Sequence, residues 1–508
     1  ALLGADARSD AGFATMRALR AFSRHPPIAT HILAADELPA LVALLKLPLN
    51  EPVLPMAVEV CWNLLEARGP EAAATLGTPA FLEPVADLFA RAMRATRDVD
   101  KEIRNELLVI ATRVAQNLPA DARGPLLASP MLGGVLGILG AEAGCAEHAQ
   151  PPSVDWEMLQ LACAFAQVIT ASAPLAPAAL AALDEAQLVP TLVSFLAPDA
   201  RAHWSRSRLV ELRRLALGLL ANLALALPSI EQLHPALAPV SGYLGRERGA
   251  ELADAAVRTL SSVLQRALDG DAPQATQLLL GDLGAVELMV ERLSAPVRGL
   301  GGFDGAFSST TSAVLRPLGL SSAALQDSLL CLSLLCADCD ANGAKFGAHG
   351  GVSVLAPMLS PRVETRLLLA AVDCLWSCVA SSHSNVERLV ERDGVLQLLS
   401  CVERADFAPR AHVLSCLADI LAHPAAAEQA REYRGAAGVS AVQLLLSLWS
   451  EEEARVGGAA GDGSLSSTQR PLSVPRDAEL AALNASLRLG PGAPREPDAA
   501  STRSSAGG

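Results

Sequence analysis

Aromatic residues are scarce in this chain: only 3% of its 508 residues are Phe, Trp or Tyr, although 51% are hydrophobic. That argues against a core of aromatic, β-branched strands and leaves Leu, Ala and Val to fill the interior. Ala and Leu are the strongest helix formers, and no long β-type alternation appears. Positive charge is short as well, with 40 basic against 54 acidic residues and a net charge of −14. Nucleic acid and anionic membranes are repelled by such a surface on average, so neither is expected as a partner, local basic patches aside. Long apolar runs are missing too. The best, LALGLLANLALAL from Leu215 to Leu227, carries Asn222 and has thirteen residues. A spanning helix needs roughly 20, so this run reads as a buried core helix. No charged-then-apolar leader stands at the N-terminus, and the chain does not begin with Met, which fits a portion of a longer protein.

The motifs of catalysis are equally thin. The ten cysteines are scattered, and most lie in apolar helical runs, among them Cys61, Cys163, Cys331, Cys374, Cys378 and Cys416. This pattern predicts reduced core thiols in a cytoplasmic compartment rather than a disulfide scaffold. Cys336-Ala-Asp-Cys339 has no second pair, and its nearest histidine, His349, stands ten residues on. Zinc binding needs more than that, so the pair reads as core thiols at a helix end. The run G-L-G-G-F-D-G at 299–305 breaks the spacing of a phosphate-binding loop. No H-E-x-x-H or G-x-S-x-G occurs. The expectation is a non-enzyme with no catalytic residue, cofactor or metal.

What the chain has in abundance is repetition. FGAHGGVSVLAPMLS (Phe346–Ser360) is echoed 43 residues later by LVERDGVLQLLSCVE (Leu389–Glu403). Gly351 aligns with Gly394, and Asn342 and Asn385 each stand nine residues before their glycine. The phrase reads as a short helix ending at a glycine, a second helix of the form V-x-x-L-x-x-x-L, and a longer apolar third helix. At Gly351 and Gly394 the expectation is a left-handed residue at a helix C-terminus, with positive φ. The third helix carries its own theme, Ala57-x5-Asn63, Ala111-x5-Asn117 and Ala216-x5-Asn222, with looser copies at Ala256–Ser262, Ala371–Ser377 and Val413–Asp419. Second-helix phrases recur nine times, from LPALVALLKLP at Leu38 to GVSAVQLLLSLW near the end.

A three-helix unit of about 40 residues is the armadillo/HEAT period. The predicted fold is all-α, an armadillo/HEAT-like α-solenoid superhelix over 1–450 with about nine repeats and an inserted Gly/Ser-rich loop near 295–320. Each unit has an apolar face that only its neighbours can cover. Residues 451–508, rich in Gly, Pro, Ser and charge, read as a disordered or partner-ordered tail with a candidate short helix at 478–489.

Two sets of residues are candidates for contact. In armadillo proteins a third-helix asparagine bonds the backbone of an extended peptide, which points to Asn63, Asn117 and Asn222. The competing reading is a polar residue that satisfies a neighbouring repeat's backbone. Nuclear-import adaptors place Asn four residues after Trp. Here Glu66 follows Trp62 and Ala380 follows Trp376 at that distance, which disfavours an acidic groove that reads basic signals. The second set is the basic cluster HWSRSRLVELRR, with Arg206, Arg208, Arg213 and Arg214, either a solvated face or a patch for an acidic partner. Trp62, Trp376 and Trp449 read as core or inter-repeat packing.

The segment Ala370–Glu403, AAVDCLWSCVASSHSNVERLVERDGVLQLLSCVE, resembles the cilia- and flagella-associated protein 69 family. The downstream order is similar to that family as well: HVLSCLADILAHP, a Gly-containing turn, then LLLSLWSEEEARVG (Leu444–Gly457), PLSVPRD and AELAALNASLRL. The resemblance covers about 320–490; upstream the pattern is generically armadillo. It implies a non-catalytic scaffold of the ciliary axoneme, on the C1b projection of the central apparatus C1 microtubule. Its implied partners are other projection proteins, including a sperm flagellar protein 2-like subunit, with indirect microtubule association. The alternative is a soluble cytoplasmic adaptor that binds a linear peptide through Asn63, Asn117 and Asn222.

Overall fold

The computed structural model describes residues 9–456, apart from 35–37, 96, 145–155, 172–174, 176, 198–203, 246–248, 271–272, 295–321, 361–362, 405–406 and 436–437. The Gly/Ser-rich insertion, the candidate helix at 478–489 and His203 lie outside the described residues. The described chain is helical; its β pairing is an isolated bridge between Arg434 and Ser440. It forms two compact units, Ala1–Thr276 and Gln277–Gly508. Among the described residues no single helix is long and apolar enough to cross a membrane.

In the first unit the long helices recur as Leu54–Leu76, Asp98–Asn117, Trp156–Thr170, Arg206–Ala226 and Ala250–Leu268. Each packs along the one before it, and the shorter helices cover their flank. The alanine theme explains the close approach: Ala57, Ala111, Ala216 and Ala256 are all at most 1% exposed. A larger side chain at these positions would push neighbouring helix backbones apart. Leu54–Leu76 turns sharply at Gly69 (φ 34°, ψ −106°), just before Pro70. Pro70 has no N–H to continue the ladder, so this corner separates a third helix from the first helix of the next repeat.

The second unit repeats the same order, with third helices Ser322–Cys336, Thr365–Val379 and Phe407–Ile420. Here the structure explains the echoed phrase. Asn385 is fully buried, and its Nδ2 donates to Gly343 O (2.7 Å) and Cys378 O (2.8 Å). Asn342, equally buried, donates to Gln277 O (2.9 Å) and Leu335 O (2.8 Å). Each asparagine therefore ties its own first helix to the preceding first helix and to the end of the preceding third helix. The partner helix yields space with a glycine. A Cβ on Gly347 would lie 1.7 Å from Asn385 Oδ1, and one on Gly281 would lie 2.0 Å from Asn342 Oδ1. Four residues separate carbonyl from glycine in both cases, so the two stand on one helix face.

The expectation of positive φ at Gly351 and Gly394 is wrong by one position. The left-handed residues are Gly350 (φ 81°) and Asp393 (φ 57°), and Gly351 and Gly394 begin the second helices Gly351–Leu355 and Gly394–Arg404. Gln187 (φ 49°) and Gly284 (φ 79°) hold the same place before Leu188 and Ala285. The carbonyl of each accepts the first bond of the helix that it precedes, as in Val354 N–H to Gly350 O and Gln397 N–H to Asp393 O. Gly351 and Gly394 are needed for space instead. A Cβ would meet the Phe346 ring at 2.1 Å and Leu389 Cδ1 at 2.2 Å, respectively.

The last described helix, Ala441–Val456, takes in the first residues of the expected tail. Its Glu-Glu-Glu-Ala-Arg run consists of good helix formers, which a compositional boundary at 451 overlooks.

Candidate functional site

The three third-helix asparagines face different surroundings. Asn63 is 7% exposed; its Nδ2 donates to Arg20 O (3.2 Å) and Ser23 Oγ (3.0 Å), at the end of the helix Asp10–Phe22. Asn222 donates to Gln167 O (3.0 Å) and Thr170 Oγ1 (3.3 Å) on the preceding long helix. Both thus bind a neighbouring repeat, which is the structural role. Asn117 turns back on its own helix and donates to Arg113 O (2.9 Å). Of the two cavities described below, one is lined by Asn63 and neither by Asn117 or Asn222.

The basic cluster is divided as well. Arg213 is buried, donates from Nη2 to Ala197 O (3.0 Å), and lies 5.9 Å from the Tyr243 ring centre. Its position on the inward face of Arg206–Ala226 removes it from any surface patch. Arg214 is held by both carboxylate oxygens of Glu211, at 3.0 and 2.8 Å. Arg208 lies 5.8 Å from the Trp156 ring centre. Arg206, Arg208 and Arg214 are the exposed cations of the four, Arg214 being paired with Glu211.

Of the tryptophans, Trp376 joins two repeats: its Nε1 donates to Asp419 Oδ2 (2.7 Å), and its ring meets His412 edge-on at 5.7 Å. Trp449 departs from expectation. With Val442 and Leu446 it forms an exposed apolar stripe on Ala441–Val456, the three being 50%, 65% and 63% exposed. Their spacing of four and three residues puts them on one helix face.

The described cysteines are buried and unpaired in disulfides. Burial pushes the thiols of Cys61, Cys163 and Cys401 up to about 12, and raises Cys378 and Cys416 as well. Thiols so far from ionisation are poor nucleophiles and poor metal ligands.

Two cavities open in the first unit. One, of about 400 Å³, lies against Leu180, Leu183, Leu188, Leu223 and Leu227, with Asp184 at its edge. Gln187 and Gln232 stand among these leucines, so its lining is mixed. The other, of about 440 Å³, lies between the third helices of successive repeats and is lined by Glu59, Glu102, Glu106 and Glu157 together with Trp62, Asn63 and Asn105. Arg24 reaches into it and pairs with Glu59 at 2.7 Å; Arg20 stands 3.3 Å from the same carboxylate. Glu157 accepts from Asn105 Nδ2 (3.1 Å). Among the described residues Glu102 and Glu106 have no basic partner. Desolvation, then the charges of Glu59 and Glu102, push the Glu106 carboxyl up to about 7. The residue pattern did not reveal this site, because its acids are spread over 98 residues and three helices. The missing Trp–Asn spacing argued against an acidic groove; the structure builds an acidic cavity from other positions.

The stacked three-helix units define an armadillo-like α-solenoid protein. Solved structures share that fold at low identity. A structure of the cadherin–β-catenin study "A conserved phosphorylation switch controls the interaction between cadherin and beta-catenin in vitro and in vivo" matches with a TM-score of 0.56 at 14% identity, covering 91% of this chain and 80% of the other. An engineered protein matches at a TM-score of 0.54 and 17% identity, over 82% of this chain and 97% of its own. More particularly, residues 324–487 match the family model "Cilia- and flagella-associated protein 69, ARM repeat". The Mus musculus cilia- and flagella-associated protein 69 is 27% identical over 154 residues, 29% of this chain and 16% of that protein. The Homo sapiens protein is 25% identical over the same shares. The match therefore spans about 16% of the length of these curated relatives.

Proposed function

We propose that this protein is a non-catalytic scaffold of the motile cilium or flagellum, seated in the central apparatus on the C1b projection of the C1 microtubule. It binds neighbouring projection proteins, a sperm flagellar protein 2-like subunit among them, and meets the microtubule through them. The observation that carries this reading is the match of residues 324–487 to the ciliary family's armadillo repeats. The physical form supports it: stacked helices present long lateral surfaces suited to extended protein contacts. The apolar stripe of Val442, Leu446 and Trp449 is one such surface.

The test is extraction of isolated motile cilia with detergent and then with salt, and immunodetection of this chain in each fraction. The scaffold reading predicts retention in the axoneme through detergent and release only with the high-salt fraction that strips projection proteins. Release with the soluble matrix contradicts it and favours the peptide-binding adaptor.

A further inference from the structure

We infer that residues 478–489, AELAALNASLRL, form the third helix of the last repeat and cover the apolar stripe of Val442, Leu446 and Trp449. The stripe marks a place where a helix belongs. Val442, Leu446 and Trp449 are the second, sixth and ninth residues of Ala441–Val456. The same positions of the preceding second helix, Gly394–Arg404, are Val395, Leu399 and Val402, all fully buried. One repeat earlier, counted from Gly351, they are Val352, Ala356 and Leu359, and these are buried as well. In both earlier repeats a third helix follows and packs on the second: Phe407–Ile420 on Gly394–Arg404, and Thr365–Val379 on Gly351–Leu355. Among the described residues no third helix follows Ala441–Val456. That helix packs on the first helix Pro424–Glu432, and Ala441 and Leu444, which lie off the stripe, are buried.

The chain supplies a fitting occupant in the right order. Ala478 and Asn484 repeat the third-helix spacing of Ala57–Asn63, Ala111–Asn117 and Ala216–Asn222. Leu480, Leu483 and Leu487 stand three and four residues apart, on one helix face, and match the stripe in length and in chemistry. Asp477 precedes the segment and Gly490 follows it, a capping residue at one end and a helix stop at the other. The ciliary armadillo-repeat model runs past Val456 and ends at 487, inside this segment. The connection 457–477 is no obstacle, because the one between the second helix Ala285–Ser294 and the third helix Ser322–Cys336 is longer. About 20 flexible residues span roughly 25 Å on average, farther than the roughly 8–10 Å between packed helices. This arrangement goes beyond the scaffold reading and does not depend on it. A partner that docks on the stripe does so by taking this segment's place.

The experiment is hydrogen exchange by mass spectrometry on the full chain, with its mass in solution followed by light scattering. In the monomer, residues 478–489 should exchange at least about tenfold more slowly than an unstructured peptide of that sequence. Leu483→Glu/Leu487→Glu should abolish that protection and speed exchange over 441–456, with the first unit unchanged as the check on folding. Leu446→Glu, on the stripe, should release 478–489 in turn. Ser447→Glu, exposed on the same helix but off the stripe, should not. A segment that exchanges freely in the wild type would overturn the inference. So would protection of 478–489 that survives Leu446→Glu, which would place the segment elsewhere. Protection of 441–456 that appears only as a dimer forms would assign the stripe to a second copy and overturn it too. None of these outcomes depends on where the chain lies in the cell.

Discussion

The tie between successive first helices in the second unit can be broken from either side, and the effect of the second change should reverse once the first has been made. Asn385→Ala removes Nδ2 from Gly343 O and Cys378 O, both bonded at 2.7–2.8 Å. Each of the two lost hydrogen bonds contributes about 0.5–1.5 kcal/mol net, so the variant should lose about 1–3 kcal/mol of local stability. Gly347→Ala attacks the same contact sterically. Its Cβ would lie 1.7 Å from Asn385 Oδ1, and the fully buried asparagine cannot step aside. Overpacking of this kind costs about 1–3 kcal/mol. In the Asn385→Ala background that oxygen is gone. The Arg388 Nη1 atom, 2.5 Å from the built Cβ, is the end of a flexible side chain and can move. What remains is the helix propensity of Ala over Gly, up to about 1 kcal/mol in favour of the substitution. Gly347→Ala should therefore destabilise the wild type and leave Asn385→Ala unchanged or slightly more stable. Stacked repeats open locally, so the assay is hydrogen exchange by mass spectrometry over 340–348 and 383–390 in all four chains. Additive effects within about 0.5 kcal/mol would refute the reasoning, because sites that do not touch add to that accuracy.

Other expectations concern single positions. Gly351→Ala, which meets the Phe346 ring at 2.1–2.5 Å, should unfold its repeat more readily than Gly350→Ala. The latter has open space and suffers only left-handed strain of about 1–2 kcal/mol at φ 81°; thermal melts of the two variants check the order. Leu219→Ala or Leu375→Ala, both fully buried, should cost about 2–5 kcal/mol, read as faster exchange in the mutated repeat and its neighbours. Glu106→Gln should stabilise the first unit above pH 7. The folded state raises this carboxyl from 4.5 to about 7, so the native chain binds more protons than the unfolded one between those values. Wild-type stability is then lost as pH rises through that window. Glu106 is partly exposed, and solvent screening reduces the gain to about 1 kcal/mol; melting curves of both chains should differ at pH 8 and converge below pH 4.5. The described cysteines should resist a thiol reagent until denaturant is added, since all are buried.

The helical repeat was legible because it is periodic. Ala57, Ala111, Ala216, Ala256 and Ala371 recur at a fixed place on the third helix, and helix approach requires a small side chain there each time. The glycines were legible as landmarks but not in their role. In His349-Gly350-Gly351 and Asp393-Gly394, one residue bears the left-handed turn and the next yields space to Phe346 or Leu389. Only coordinates separate two such demands on adjacent residues. Asn342 and Asn385 were visible as a recurrent pair, yet their bonds reach back to the preceding repeat, a contact that no local pattern encodes. Arg213 and Arg214 look alike in the sequence, and helical phase sends one inward and the other to Glu211. The acidic cavity was the least legible feature, because Glu59, Glu102 and Glu157 meet only through the register between stacked helices.

The ciliary scaffold is tested most directly by immunogold labelling of this chain on cross-sections of demembranated motile axonemes, compared with axonemes that lack the central pair. The account predicts gold over the central pair, to one side of it, in the first and none in the second. Label over the outer doublets, or label that persists without the central pair, would contradict it.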